Sequence, residues 1–157
     1  MKTVIVVDYD PRWPAVFERL RASLARALAG LPFEIEHVGS TSVPGLAAKP
    51  VIDLNVVVPT ANEVAETIER LASLGYRHRG DLGIVGREAF RAPPGLPKHH
   101  LYVCVEGVLA LRNHLGVRDY LRTHPEAVRA ELREGRRREP ALTAFDQVRC
   151  GAHVGLW

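Results

Sequence analysis

The sequence predicts a mixed α/β or α+β domain, with helices packed around one β-sheet. Three observations indicate this class. Runs rich in Val and Ile indicate strands, and the longest is the nearly continuous apolar run at 51–58. Stretches with apolar residues three or four positions apart indicate helices, and they are interspersed with the strands. Because the chain has 157 residues and is 46% apolar, we expect one domain, 1–157, with a substantial core.

The individual elements follow from local patterns. The expected strands share β-branched or alternating residues, and they are 3–7 (a strand or extended arm), 33–38, 51–58, 76–79, 88–91 and 100–105. The expected helices share apolar residues at helical spacing, and they are 13–29, 64–74, 108–123 and 125–133. Pro14 suits a first helical turn, Thr60 and Glu63 form a capping box, and Gly116 is a candidate interruption of the third helix.

The composition of the chain indicates which cellular environment and which partners to expect. No apolar run approaches the ~20 residues of a membrane helix, so we expect no membrane partner. The first residues carry one Lys and a short apolar run, which predicts a strand and not a secretory signal. Cys104 and Cys150 are far apart, and Cys104 lies in an apolar alternation typical of a buried thiol. We therefore expect a reduced, cytoplasmic protein.

The positive charge is concentrated late in the chain. The net charge is +3, and the segment 112–138 has an excess of arginines. The three arginines at 136–138 have no aromatic residues between them that could stack on bases, so a solvated face is the preferred interpretation. Nucleic acid is accordingly an unlikely partner.

The stretch "HVGSTSVPGLAAKPVIDLNVVV" carries the chemistry. Gly39 allows a tight turn after a strand, and Ser40 and Thr41 can offer backbone N–H groups and hydroxyls to an anion. Lys49 can supply a point charge for phosphate. Asp53 lies in the middle of an apolar strand, where an unpaired charge is costly, and a carboxylate there is suited to hold Mg²⁺. The alternatives are a plain turn and a buried Asp paired with Lys49 or an arginine.

A family resemblance appears at these residues. Gly-Ser followed by an apolar-flanked Asp resembles the signature of polymerase-β-like nucleotidyltransferases. More narrowly, "YDPRWPAVFERL", "EHVGSTSVPGLAAKPVIDL", "LGYRHRG", "HHLYVC" and "VRDYLRTHPE" resemble the GrpB family of small bacterial proteins in that superfamily. The resemblance implies a nucleotidyltransferase-type mixed β-sheet flanked by helices. In active members of the superfamily, the Gly-Ser turn grips the nucleotide triphosphate, and three acids hold two Mg²⁺ ions.

The chain departs from that pattern at the acids. Asn55 stands where an active enzyme usually has a second Asp or Glu, and it shares a strand face with Asp53. The resemblance makes Asp53 and Asn55 the candidate catalytic pair. The third acid is missing from the later strand, which offers His99, His100 and, at its far end, Glu106.

A second set of candidates consists of histidines. If the strands pair as the family fold implies, His37, His99 and His100 are expected to line the site with Asp53. Such a cluster suits Zn²⁺, Ni²⁺ or Mn²⁺ better than Mg²⁺. Contact with a phosphate and a purely structural role are the alternatives.

Two features of the later chain leave alternatives open. Arg118 matches a family motif, and it is either a phosphate clamp or, as we favour, a structural pair with Asp119.

The tail at 135–157 diverges from the usual family pattern. Leu156 and Trp157 could dock on the sheet of the same chain or across a homodimer.

Three functions are consistent with these residues. The first is Mg²⁺-dependent transfer of a nucleotidyl group from an NTP to an unknown acceptor. The alternative is a catalytically inactive module that binds a nucleotide or another phosphorylated small molecule. A coenzyme A-related ligand is conceivable because GrpB-type domains also occur fused to dephospho-coenzyme A kinase. Nucleic-acid binding through the arginine-rich tail ranks last.

Overall fold

The computed structural model describes residues 5–137. The expectations for the side chains of the arginines at 136–138, for Cys150, and for the docking of Leu156 and Trp157 lie outside the described side chains. The helices are α1 (Trp13–Ala27), α2 (Val64–Ser73), α3 (Leu109–Thr123) and α4 (Pro125–Arg137). The strands are β1 (Glu34–Val38), β2 (Ile52–Val58), β3 (Arg77–His78), β4 (Arg87–Arg91) and β5 (His99–Val105). Short 3₁₀ turns occur at Ser40–Ser42 and Ala61–Glu63.

The strands form one mixed sheet in the order β1-β2-β5-β4-β3. β2 pairs antiparallel with β1 and parallel with β5, and β4 pairs antiparallel with both β5 and β3. The predicted mixed sheet flanked by helices is therefore confirmed, and β2 is an interior strand as its apolar run indicates.

Successive side chains of β2 point to opposite faces of the sheet, and the two faces pack against different helices. Leu54 and Val56 are fully buried in the core that α1 and α2 close. The intervening Asp53 and Asn55 point to the other face, where α3 lies and where Asn55 contacts a residue of that helix. Within residues 5–137, no helix combines the length and the apolar character needed to span a membrane.

The structure differs from the predicted elements in a few places. Of the predicted strand at 3–7, the described part contributes one bridge, between Val7 and Ala48. Gly116 does not interrupt α3, because a single glycine lowers helix stability without ending the hydrogen-bond pattern. The capping box of Thr60 and Glu63 is present, although it caps the 3₁₀ turn that leads into α2.

Candidate functional site

The turn after β1 lies directly against the carboxylate of Asp53. Gly39 has a φ of 75°, which side chains rarely adopt. A Cβ atom at Gly39 would lie within 3.0 Å of Asp53 Oδ2 and 3.1 Å from Asp53 Cγ. Glycine is thus required twice, by the backbone conformation and by the contact. The structure brings together the two elements of the sequence motif that the chain separates by a loop.

The residues that follow Gly39 differ in how much they can offer to a ligand. Ser40 is partly exposed, and its hydroxyl makes no hydrogen bond to another residue in the part of the chain described. Thr41 is 1% exposed, with its hydroxyl 3.0 Å from His37 Nε2 and donating to the Val51 carbonyl at 3.4 Å. Ser42 donates to the Gly39 carbonyl at 2.6 Å. Ser40 can therefore contact an anion, whereas Thr41 and Ser42 brace the turn.

Asp53 has one of the three predicted histidines, His100, as a hydrogen-bond partner. In the parallel pairing of β2 and β5, Asp53 lies opposite His100. His100 Nδ1 is 2.9 Å from Asp53 Oδ1, and the Asp53 side chain is 8% exposed while that of His100 is 38% exposed. At the position opposite Asp53, β5 carries His100 and no third acid. Lys49 lies half-buried in the loop before β2.

Asn55 is closed off from solvent by α3. It is 0% exposed, and its amide Nδ2 donates to Nδ1 of His114 at 3.1 Å. Its Oδ1 has no hydrogen-bond partner, which is costly for a buried carbonyl. No role for His114 was expected from the sequence. The available signal was its place in the buried stripe of α3, three residues after Leu111 and four before Arg118.

The predicted cluster of three histidines with Asp53 is not formed. His37 and His99 lie on the α1 face of the sheet, because residues one position apart along a strand face opposite ways. His37 stacks on Phe17 with 4.7 Å between ring centroids. Of the three, His100 makes the hydrogen bond to Asp53, and the described side chains hold no group of three or more His, Cys, Asp or Glu that could bind a metal ion.

Both ring nitrogens of His99 are already used. The Pro97 carbonyl, which can only accept, lies 2.6 Å from Nδ1, so Nδ1 carries the proton. Nε2 then accepts from the Tyr76 hydroxyl at 2.7 Å. Burial raises the pKa of Tyr76 to about 12 and lowers the pKa of His99. His99 is therefore a neutral structural residue in this conformation.

His37 is held neutral as well. Burial, followed by the nearby Arg122 charge, lowers the pKa of His37 to about 4. Since the Thr41 hydroxyl donates to Val51, the His37 ring donates from Nε2 to Thr41. The role of His37 is to support the turn from the α1 side.

Arg118 connects α3 to the strand that leads into the turn. Its guanidinium donates to the carboxylates of Glu36 and Asp119, and to the His37 carbonyl at 3.1 Å. One turn later on α3, Arg122 donates to the Ser42 carbonyl at 2.9 Å. The two arginines thus hold β1 and the turn against α3, as in the favoured structural interpretation of Arg118.

The sheet order, the helices on its faces and the turn beside Asp53 define a class of protein. The chain has the polymerase-β-like nucleotidyltransferase fold. Its similarity to a Cid1 poly(U) polymerase mutant bound to MgATP, with a TM-score of 0.51 and 13% identity over 73% of this chain and 38% of that chain, shows the fold alone.

Within this class, the family is shown directly. The family model described as GrpB protein matches residues 3–137, and the chain belongs to the GrpB family. A crystal structure of the conserved protein GrpB from Enterococcus faecalis is similar, with a TM-score of 0.71 and 34% identity over 81% of this chain and 78% of that chain.

Curated relatives are longer than this chain. UPF0157 protein YqkA of Bacillus subtilis is 34% identical over 79% of this chain and 36% of its own length. UPF0157 protein SCO7215 of Streptomyces coelicolor is 37% identical over 73% of this chain and 59% of its own length. A dephospho-CoA kinase of Mycolicibacterium paratuberculosis is 38% identical over 46% of this chain and 19% of its own length.

The donors present do not fit a two-metal site. Two Mg²⁺ ions need several carboxylate oxygens at fixed positions. Asp53 supplies one carboxylate, the neighbouring amide of Asn55 is buried against His114, and the β5 position opposite Asp53 is His100. One divalent ion that brings its own water and phosphate ligands would need only Asp53 from this set.

Proposed function

We propose that the chain binds a nucleotide or another phosphorylated small molecule at the turn formed by Gly39 and Ser40, beside Asp53 and His100. The observation that supports this most is the glycine turn lying against the Asp53 carboxylate. It leaves Ser40, the residue after this glycine, partly exposed. A plain turn would not require a buried carboxylate under its glycine.

Each residue of this site has a different proposed role in binding the ligand. Ser40 is suited to donate to a phosphate oxygen from its hydroxyl and backbone. Lys49 lies in the loop before β2 and is a candidate for contact with a phosphate. Asp53 would hold a single Mg²⁺ that accompanies the phosphates, and such an ion would offset the charge of the ligand. His100 orients Asp53 through the hydrogen bond at 2.9 Å.

Nucleotidyl transfer from an NTP to an acceptor is the second candidate. The fold and the placement of Asp53 favour it. Position 55 argues against it, because the amide of Asn55 carries no charge to replace the second acid and is held by His114. We therefore rank binding without transfer first, with Asp53 and Asn55 as the catalytic pair if transfer occurs.

The phosphorylated ligand could be related to coenzyme A. The similarity to a dephospho-CoA kinase covers 46% of this chain, which makes coenzyme A and its dephosphorylated precursor worth testing. ATP, UTP, dephospho-coenzyme A and coenzyme A form a suitable panel, with inorganic phosphate as the minimal probe.

Isothermal titration and thermal unfolding with this panel, with and without Mg²⁺, test the proposal. A ligand at 100 times its Kd stabilises the folded state by about 2.7 kcal/mol. We expect one panel member to do so, and Asp53→Asn and Ser40→Ala to remove most of the effect. Glu69→Gln, an exposed acid on α2, is the matched control, because α2 packs on the opposite face of the sheet from Asp53. If no ligand binds the wild type, or if Asp53→Asn binds as well as the wild type, the proposal is wrong.

Labelled NTP separates the two candidates. Under the binding proposal, α-³²P-labelled ATP with Mg²⁺ yields no labelled product and no pyrophosphate. Under the transfer candidate, Asn55→Asp supplies the second acid and raises turnover. If binding alone is correct, Asn55→Asp lowers stability, because it buries a carboxylate beside His114.

A further inference from the structure

A second concavity lies on the opposite face of the sheet from Asp53, beside the first turns of α1. Its volume is about 440 Å³, within the range of small-molecule sites. Trp13 and Ile52, which are 5% and 2% exposed, line it together with Pro50 and Pro97. Because Ile52 and Asp53 are adjacent on β2, their side chains face opposite ways. The pocket is therefore separate from the Gly39–Asp53 site.

The walls of this pocket are preorganised. Asp10 and Arg12 form a side-chain ion pair at 2.7 Å at the start of α1, and the Asp10 carboxylate also accepts from the Arg12 backbone N–H at 2.9 Å. The Ile52 N–H donates to the Lys98 carbonyl at 3.1 Å, which ties the loop before β5 to the start of β2. The backbone of the pocket wall is thus held before a ligand enters, whereas the exposed side chains of Arg19 and Lys98 would be ordered on binding.

The pocket carries unbalanced positive charge. Its lining includes Asp10 and the cations Arg12, Arg19 and Lys98. Asp10 and Arg12 neutralise each other. Among the side chains that the structure describes, Arg19 and Lys98 find no ion pair and no side-chain hydrogen bond. Two cations therefore remain at the rim of a floor made of Trp13, Ile52 and two prolines.

We propose that this pocket binds a small organic anion with a flat apolar body, such as an aromatic carboxylate, sulfonate or phosphate. The flat body would pack mainly on the exposed rings of Pro50 and Pro97, over the small accessible parts of Trp13 and Ile52, and this apolar surface would leave water. The anionic group would lie at the rim between Arg19 and Lys98. An apolar floor with a few convergent charges is the usual composition of such sites.

An NMR titration of the ¹⁵N-labelled full chain tests this assignment. The probe is 1-naphthalenesulfonate, and 2-naphthol is its uncharged match. We expect the sulfonate to shift the Trp13 indole N–H and the backbone amides of Ile52 and Lys98, and to bind more tightly than 2-naphthol. Added salt should weaken sulfonate binding, because the two cations are exposed.

Substitution of the two cations provides the decisive comparison. We expect Arg19→Gln/Lys98→Gln to weaken sulfonate binding about tenfold and to leave 2-naphthol binding unchanged. Arg26→Gln, an exposed arginine of the same helix outside the pocket, is the control and should bind as the wild type does. Absence of binding overturns the proposal, as does equal binding by the double variant, or shifts confined to residues away from Trp13. ATP or phosphate titrated into the double variant shows whether the Asp53 site is independent.

Discussion

Asp53 is held by two residues that lie far from it in sequence. Gly39 lies so close that an added Cβ would overlap the Asp53 carboxylate, and His100 contacts this carboxylate from the neighbouring strand. The pattern of a Gly-Ser turn and a strand Asp indicated the first contact. It could not indicate the second, because the register of β2 and β5 decides which of two consecutive histidines faces Asp53.

Gly39→Ala tests the close approach at this position. We expect it to lower the free energy of unfolding by about 2 to 4 kcal/mol, from a strained φ and from overlap with Asp53. Gly80 has the same φ of +75°, and a Cβ added there would meet nothing within 4 Å, so Gly80→Ala is the control for a positive φ without such a contact. Urea unfolding compares the two variants. Equal losses would show that the Asp53 contact contributes nothing.

His37 makes stability depend on pH. Its folded pKa of about 4 lies below the ordinary value of 6.5, so between these pH values the unfolded chain binds more protons. Stability therefore falls as the pH drops from 6.5 to 4, by at most about 3 kcal/mol from this residue, and His99 adds in the same direction. Denaturant unfolding at several pH values should show a shallower slope for His37→Gln. An unchanged slope for His37→Gln would contradict the prediction.

At the scale of elements, α3 is the part that completes the site. It brings His114 to Asn55, Arg118 to Glu36 and Arg122 to the Ser42 carbonyl. Its bounds were well predicted, because the apolar spacing over Leu109–Thr123 is clear. The contacts of α3 were not predicted, because a helical pattern shows which face of a helix is buried but not which residues that face contacts.

Arg118→Met separates the two interpretations of this arginine. As a structural residue, it should cost about 2 to 3 kcal/mol, because Glu36 and the His37 carbonyl lose a charged donor. Arg112→Met, an exposed position on the same helix, should change stability by less than about 0.5 kcal/mol. Thermal and urea unfolding measure both. Full stability combined with lost ligand binding would instead identify Arg118 as a phosphate clamp.

In the described part of the molecule, the two faces of the sheet at β2 and β5 have different surroundings. One face carries the core under α1 and α2 together with the cationic pocket. The other carries Asp53, His100 and the smaller cluster beneath α3, which includes Cys104 at 0% exposure. The predicted cluster of three histidines does not form, because it combined residues from both faces of the sheet.

The buried thiol of Cys104 can be used to test whether the cluster beneath α3 stays closed. Burial raises the pKa of its thiol to about 12, so little thiolate forms at neutral pH and access requires opening of the fold. In a Cys150→Ser background, we expect iodoacetamide to label Cys104 only as fast as the protein unfolds. Mass spectrometry across a urea series measures this rate. Rapid labelling without urea would show that the α3 face opens locally.

The sequence by itself determined the mixed fold, the bounds of most elements, the family motif and the absence of a second acid at position 55. These depend on local spacing and residue type, which a chain displays directly. Only the tertiary structure decided that His100 pairs with Asp53, that His114 covers Asn55, and that His37 and His99 serve the opposite face. Strand register and helix placement join residues up to 82 positions apart, as Arg118 and Glu36 show, and no local pattern encodes that contact.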